Sequence, residues 1–248
     1  MTQGRIIHGF HAVTSRLRQS PSGVLELWVD AARKDGRMRE LLHLAAERGV
    51  RPMQVDGTRL GGIAGTSRHQ GVAASVEPLQ LASHVEDLVE TASGPLLLLL
   101  LDGIQDPHNL GACLRVADAF GASAVVAPRD RAAGLNATVS RVACGAAEVV
   151  PFITVTNLAR TMKYLRDNGI WLIGTDSDAP EPLASMDLRT PTGLVLGAEG
   201  EGLRRLTREH CDHLARIPMC GSVQSLNVST AASVCLYEAC RQRASGES

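Results

Sequence analysis

The stretch Ile217-Pro218-Met219-Cys220-Gly221-Ser222-Val223-Gln224-Ser225-Leu226-Asn227-Val228-Ser229 sets polar and backbone-permissive residues between an apolar strand at 215–217 and a helix running from about 227 to 243. Ser222, Ser225, Asn227 and Ser229 supply caps and turn hydrogen bonds, which accounts for the polar half of the pattern. Ile217, Met219 and Leu226, interleaved with them, are not explained that way. Apolar contacts alternating with free backbone amides suit an adenine ring, which needs a dry slot and a few backbone partners for its edge.

Two other segments have the same design, an apolar strand running into a Gly-containing polar turn. In Asp106-Pro107-His108-Asn109-Leu110-Gly111-Ala112-Cys113-Leu114-Arg115 the chain leaves the strand 96–101, turns at Pro107 and enters a helix whose apolar face is Leu110, Cys113, Leu114 and Ala117. Asn109 reads as the cap of that helix. Arg115 lies one turn beyond Gly111 on the same face, and the small residue clears room for a guanidinium or a substrate. Pairing of Arg115 with Asp118 or Glu148 is the plain alternative. Gly197-Ala198-Glu199-Gly200-Glu201-Gly202 follows the strand 194–196 with the spacing Gly-x-x-Gly-x-Gly, the reverse of the dinucleotide fingerprint. Its glycines let a ligand lie against the backbone, and Glu199 either bonds a substrate group or stands as a solvated loop acid.

From residue 96 onward strands (96–101, 124–127, 170–175, 194–196, 215–217) alternate with helices near 110–120, 137–144, 156–168, 203–210 and 227–243. That alternation predicts an α/β domain with a largely parallel sheet covered on both faces. The three polar turns then fall at the carboxyl ends of strands, where ligands of such sheets collect. Residues 1–76 read as a separate small α/β unit, with helices at 9–17 and 38–48 and strands at 25–29, 51–55 and 72–76. Within it, residues 57–71 hold five glycines together with Arg59, Arg68, His69 and Gln70, the composition of a mobile loop that either grips RNA or merely connects. Residues 77–94 read as a linker with a short helix, leaving 95–248 as the second domain.

At 248 residues and 44% hydrophobic content the chain has enough apolar material for real cores. Its net charge of -1 hides an asymmetry: residues 1–76 hold 11 Lys and Arg against 6 Asp and Glu, and the remainder 14 against 20. A basic module beside an acidic one suits a phosphate-binding domain attached to a catalytic domain, although a few arginines on solvated helices produce the same imbalance. The longest apolar run, 96–101, is far short of a membrane span, and the charged, Gly-containing amino terminus is unlike a signal peptide, so a cytoplasmic location is expected. None of the six cysteines forms a Cys-x-x-Cys pair, which points to free thiols rather than a zinc ribbon or a disulfide framework. Ser-His-Asp order, metal-ligand clusters and a Gly-x-x-x-x-Gly-Lys loop are missing, so hydrolase, metal and triphosphatase readings have no support.

Taken together, the segments Asn109-Leu110-Gly111-Ala112-Cys113-Leu114-Arg115, Leu196-Gly197-Ala198-Glu199-Gly200, and Ile217-Pro218-Met219 through Ser225-Leu226-Asn227-Val228-Ser229 resemble, in order, the three motifs of the SpoU/TrmH family of RNA ribose 2′-O-methyltransferases, within the SPOUT superfamily. The resemblance extends to Ile7-His8-Gly9-Phe10-His11-Ala12-Val13 and His69-Gln70-Gly71, with Phe10 and Gln224 as local variations. It implies methyl transfer from S-adenosylmethionine to a guanosine ribose in 23S rRNA, in its peptidyl-transferase region, either on free rRNA or on a large-subunit assembly intermediate. Also implied are a homodimer with active sites at the subunit interface, an amino-terminal RNA-binding domain resembling ribosomal proteins, and no metal or membrane.

A deep trefoil knot at about 193–243 is implied as well, a topology that general connection rules alone argue against. In roles carried over from the family, Arg115 stabilises the developing alkoxide, since an arginine stays protonated and is a poor base. Asn109, Glu199 and Asn227 hold the ribose and guanine and keep Arg115 in place. Gly197, Ile217 and Leu226 line the cofactor slot, with Met219 and Thr175 beside them. Two alternatives remain, a tRNA ribose 2′-O-methyltransferase and a non-catalytic RNA-binding protein on the same fold.

Overall fold

The computed structural model describes residues 4–77, 81–223 and 225–245, so Gln224 lies outside the described residues. The chain divides into two compact units, Met1–Gln80 and Leu81–Ser248.

In the first unit a four-stranded sheet has the order β1-β4-β2-β3, formed by β1 (Arg5–His8), β2 (Val24–Asp30), β3 (Pro52–Val55) and β4 (Val72–Val76). β2 and β3 are parallel, and β4 runs antiparallel to β1 and β2. Alternation along β2 sends Leu27 and Val29 into a core with α1 (Phe10–Gln19) and α2 (Gly36–Glu47), and Trp28 to the opposite face. α2 starts where Asp35 accepts a hydrogen bond from the Met38 amide at 3.0 Å, and it buries Met38, Leu41 and Ala45.

The expectation of a loop over 57–71 is corrected in its first half, because Gly57–Ala64 forms a helix, α3. Asp56 caps it by accepting from the Arg59 amide at 2.9 Å, and Leu60 is fully buried beside Trp28, Val55 and Ala73. Burial of that apolar stripe outweighs the cost of Gly61 and Gly62 inside a helix, about 1 kcal/mol each. The two amino-terminal motif segments meet in space: the Phe10 amide donates to Gln70 Oε1 at 3.3 Å, and the Arg33 guanidinium lies 4.7 Å from the Phe10 ring centre.

The second unit is built on a seven-stranded, wholly parallel sheet of order β7-β6-β5-β10-β8-β11-β9. Its strands are β5 (Leu97–Asp102), β6 (Ala124–Pro128), β7 (Phe152–Val155), β8 (Trp171–Thr175), β9 (Glu181–Pro182), β10 (Thr192–Gly197) and β11 (His213–Arg216). The predicted layering is present. Along β5, Leu97, Leu99 and Leu101 pack on α5 (Pro107–Ala119), α6 (Ala137–Ala143) and α9 (Val228–Ala244). Leu98 and Leu100 point the other way, toward α4 (Val85–Thr91) and α7 (Leu158–Asp167). Each fully buried leucine contributes about 2 kcal/mol, so this one strand anchors both layers. β7, β9 and the amino-terminal β1 have no counterpart in the sequence reading; all are short, with at most four residues.

The chain winds outward from β5 to β6 and β7, then crosses back to β8, with β10 inserted later between β5 and β8. The junction of β5 and β10 is therefore the switch point of the sheet, and the loops leaving both strands at that junction form the site.

Candidate functional site

At the carboxyl end of β5 the chain enters α5, whose first turn is capped by Asp106, accepting from the His108 amide at 2.9 Å, with Pro107 at the first helical position. This corrects the expectation that Asn109 is the cap. Released from that duty, the Asn109 side chain reaches across to the other two motifs. Its Nδ2 donates to Glu199 Oε1 at 3.3 Å, and its Oδ1 accepts from Asn227 Nδ2 at 2.9 Å.

Asn227 caps α9, its Oδ1 accepting from the amide and hydroxyl of Ser229 at 2.9 and 2.6 Å. With the oxygen held by the helix, the amide nitrogen must face outward, where it donates to both Asn109 and Glu199. Glu199 Oε1 also accepts from the Val228 amide at 3.4 Å, at the positive end of α9. Three side chains separated by 90, 28 and 118 positions thus form one closed polar set.

Glu199 stands at the tip of a tight hairpin that follows β10. Gly202 donates its amide to the Ala198 carbonyl at 2.9 Å, and Gly200 and Gly202 have φ of 79° and 67°, left-handed backbone that glycine adopts without penalty. Gly197 is required for a different reason: a Cβ there would lie 2.1 Å from Gly202 C and 2.4 Å from Leu203 N. The glycine spacing read from the sequence is therefore a device for folding the chain back on itself.

One cleft of about 400 Å³ opens between this hairpin, the end of β8 and the 217–226 segment. Thr175, Gly197, Ile217, Met219 and Leu226, the five candidates for holding S-adenosylmethionine, all line it, and Glu199 closes one side. Ile217, Leu203, Leu226 and Ala231 supply apolar wall for a purine, while Asp176 and Asp178 offer acceptors for hydroxyl or ammonium groups. Asp176 is itself ion-paired with Arg208. The residues present fit an adenosyl ligand of this size. A second cleft of about 580 Å³ lies across Glu199 and is lined by Asn109, Asp102, Arg131 and Arg204. Among the described residues no group of three or more His, Cys, Asp or Glu is placed to hold a metal ion.

Arg115 is not brought to this set within the chain. It is exposed on α5 and lines neither cleft. Six residues carry an α-helix through about 600°, so Arg115 projects roughly 120° away from Asn109. The space beside Gly111 is also taken: a Cβ there would lie 2.7 Å from Val142 Cβ and 2.9 Å from the Val139 carbonyl of α6. Gly111 therefore serves close helix packing, which corrects the reading that it clears room for a guanidinium. Asn109, Glu199 and Asn227 hold one another rather than Arg115. Sequence reasoning also missed the Asp106 cap, although Asp directly before Pro is a recognised helix start, and it missed the pairing of Asp102 with Arg204, for which no local signal exists.

The SpoU rRNA Methylase family model matches residues 96–237, and a model described as RNA 2'-O ribose methyltransferase substrate binding matches residues 6–82. The chain is 57% identical to the 23S rRNA (guanosine-2'-O-)-methyltransferase RlmB of Ralstonia nicotianae, over 98% of each chain. It is 53% identical to the protein of the same name from Neisseria meningitidis serogroup B, over 98% of this chain and 97% of that one. Among solved structures, the SpoU methyltransferase AviRb from Streptomyces viridochromogenes in complex with the cofactor AdoMet superposes with a TM-score of 0.65 at 29% identity, covering 97% of this chain and 91% of that chain. The A. aeolicus TrmH/SpoU tRNA modifying enzyme matches with a TM-score of 0.57 at 28% identity, over 65% of this chain and 83% of its own.

Proposed function

Because the chain belongs to the SpoU rRNA methylase family, we propose its reaction and the roles of its residues as follows. The protein is an S-adenosylmethionine-dependent methyltransferase that modifies the ribose 2′-hydroxyl of a guanosine in 23S rRNA. The observation that carries the reading is the closed Asn109–Glu199–Asn227 set standing between two clefts, one fitted to an adenosyl ligand. A tRNA substrate is less well supported, since the relatives that match nearly the whole chain are named for 23S rRNA.

S-adenosylmethionine supplies an already activated methyl group, so the protein's task is to place a ribose hydroxyl in line with it and help that oxygen lose its proton. Thr175, Gly197, Ile217, Met219 and Leu226 hold the donor in the smaller cleft. Asn109, Glu199 and Asn227 orient the nucleoside presented from the larger one. Arg115 supplies the positive charge that stabilises the developing alkoxide, and the proton passes to solvent.

For Arg115 to act, it must come from a second copy. Support for a homodimer comes from α5 and α9: Val234 and Tyr237 on α9 are 38% and 55% exposed, Tyr237 meets Phe120 edge-on at 5.9 Å, and Arg115 stands on α5. A twofold contact across these helices delivers Arg115 of one copy to the cleft of the other. Residues 1–76, with their basic excess, are the RNA-binding part and 95–248 the catalytic part, joined through 77–94. The substrate is rRNA or a large-subunit assembly intermediate, met in the cytoplasm.

We place the trefoil knot at about 193–243. In its support, β10 lies between β5 and β8, β11 lies beyond β8, and α9 then returns across the sheet to α5 and β10. The proposal is tested by mass-spectrometric mapping of 2′-O-methylation in rRNA from cells lacking the gene. Loss of one 2′-O-methylguanosine from 23S rRNA is expected; an unchanged pattern would overturn the substrate assignment.

A further inference from the structure

Asp102 ends β5 with its carboxylate buried, its side chain fully shielded from solvent. Among the described residues its carboxylate takes two hydrogen bonds and an ion pair from one residue 102 positions later: the Arg204 amide donates to Oδ2 at 2.9 Å, Arg204 Nε to Oδ1 at 2.6 Å, and Arg204 Nη2 pairs with Oδ1. Arg204 itself is 46% exposed. Burying a carboxylate beside a half-exposed guanidinium is a poor way to gain stability, since an apolar pair of similar volume usually does as well. What the pair does provide is geometry, because a forked side chain and a backbone amide on one carboxylate leave the two segments no freedom to slide.

The two segments are those that carry the site. From Asp102 the chain runs straight into the turn that presents Asn109. Arg204 follows directly on the hairpin closed by the Ala198–Gly202 contact, with Glu199 at its tip. The sheet holds the near leg of that hairpin through the pairing of Gly197 with Asp102. The Asp102–Arg204 bonds tie the far leg to the same strand end. Glu199 meets Asn227 Nδ2 in a close contact, but its bonds to Asn109 Nδ2 and to the Val228 amide, at 3.3 and 3.4 Å, lie at the long end of the hydrogen-bonding range, so a small shift of the hairpin breaks those two.

We infer that Asp102 and Arg204 are positioning residues for methyl transfer, locking the hairpin to the end of β5 so that Glu199 meets Asn109 and Asn227. This rests on the reading of Glu199 as part of the substrate site. The test is a set of kinetic cycles with R204Q, D102N and the double variant D102N/R204Q, each made in the wild-type chain and in E199A. The double variant leaves no unpaired buried charge and remains a folded test if either single variant fails to fold. Turnover is counted per site able to bind S-adenosylmethionine, with a melting temperature for each variant.

In the wild-type chain turnover should fall about tenfold to a hundredfold, the loss associated with a displacement near 1 Å, with the KM for RNA changed far less. In E199A, itself impaired, the same substitutions should lower turnover no further, because the residue they position is already gone. A pair that only stabilises the fold lowers the melting temperature while leaving turnover per site intact, and that outcome overturns the inference. Losses that multiply in the E199A background overturn it too, while sparing the reading of Glu199. Wild-type turnover of E199A alone would bring down both.

Discussion

Replacing Gly197 by alanine is the sharpest single perturbation of the site. The residue is not in left-handed backbone, so alanine meets no conformational penalty and the effect is purely steric. The added Cβ would lie 2.1, 2.2 and 2.4 Å from Gly202 C, Gly202 O and Leu203 N, all main-chain atoms that no rotamer change can move. Ordinary contact is about 3.5 Å, so the two legs of the hairpin must part by roughly 1.4 Å. Forced overpacking of this kind costs about 1–3 kcal/mol, and the Gly202–Ala198 hydrogen bond of 2.9 Å adds about 1 kcal/mol if it breaks.

In a chain of this size that is a fall in melting temperature of roughly 2–16 °C. Function should suffer more. Glu199 rides on the displaced leg, so turnover is expected to fall about a hundredfold. The same hairpin walls the smaller cleft, so affinity for S-adenosylmethionine, measured by calorimetry, should fall about tenfold or more. Gly94 is the control: among the described residues no atom lies within 4 Å of its added Cβ, its φ is not positive and it lines neither cleft, so alanine there should leave both measurements within about twofold of wild type. A G197A protein with wild-type affinity and turnover, or one no worse than G94A, would refute the steric argument.

Subunit mixing tests the supply of Arg115 across a dimer: alone, R115A is expected to be inactive and E199A strongly impaired but measurable, while random heterodimers contain one complete site each, restoring about a quarter of wild-type activity. No recovery on mixing would return Arg115 to its own chain's site. Thiol alkylation reads the smaller cleft independently. Cys113 and Cys235, whose thiols burial pushes up to about 12, should stay silent in the native protein, while exposed Cys144, Cys220 and Cys240 react. Cys220 alone should be slowed by S-adenosylmethionine, because its neighbour Met219 lines the cleft. The end of α9 is held by Arg243, which donates to the carbonyls of Pro95, Leu96, Leu188 and Thr190 at 2.7–3.0 Å. R243Q should lower stability by about 2–4 kcal/mol in denaturant titrations, with little change in turnover per folded molecule.

The parts legible in the sequence are those with local causes. The leucine run of β5 declares a strand buried on both faces, and the polar turns after β5, β10 and β11 declare where a ligand sits. The Thr175, Gly197, Ile217, Met219 and Leu226 set was named through the family resemblance, and the fold gathers all five into one cleft. What stayed hidden depends on tertiary placement. The glycines of α3 mask a helix whose stability comes from Leu60 packing under Trp28. Asp102 and Arg204 have nothing in their own neighbourhoods to announce a partner 102 residues away. The misreading of Gly111 has the same origin: helical periodicity shows which residues share a face, but not that α6 packs directly against Gly111.

Incubating the purified protein with S-adenosylmethionine carrying a labelled methyl group and 23S rRNA from cells lacking the gene, then digesting the RNA to nucleosides, reads the methyl transfer itself. The label should appear in 2′-O-methylguanosine, at a single position, and should vanish with R115A. Label on a nucleobase, label in another nucleoside, or RNA bound without any transfer of label would contradict it.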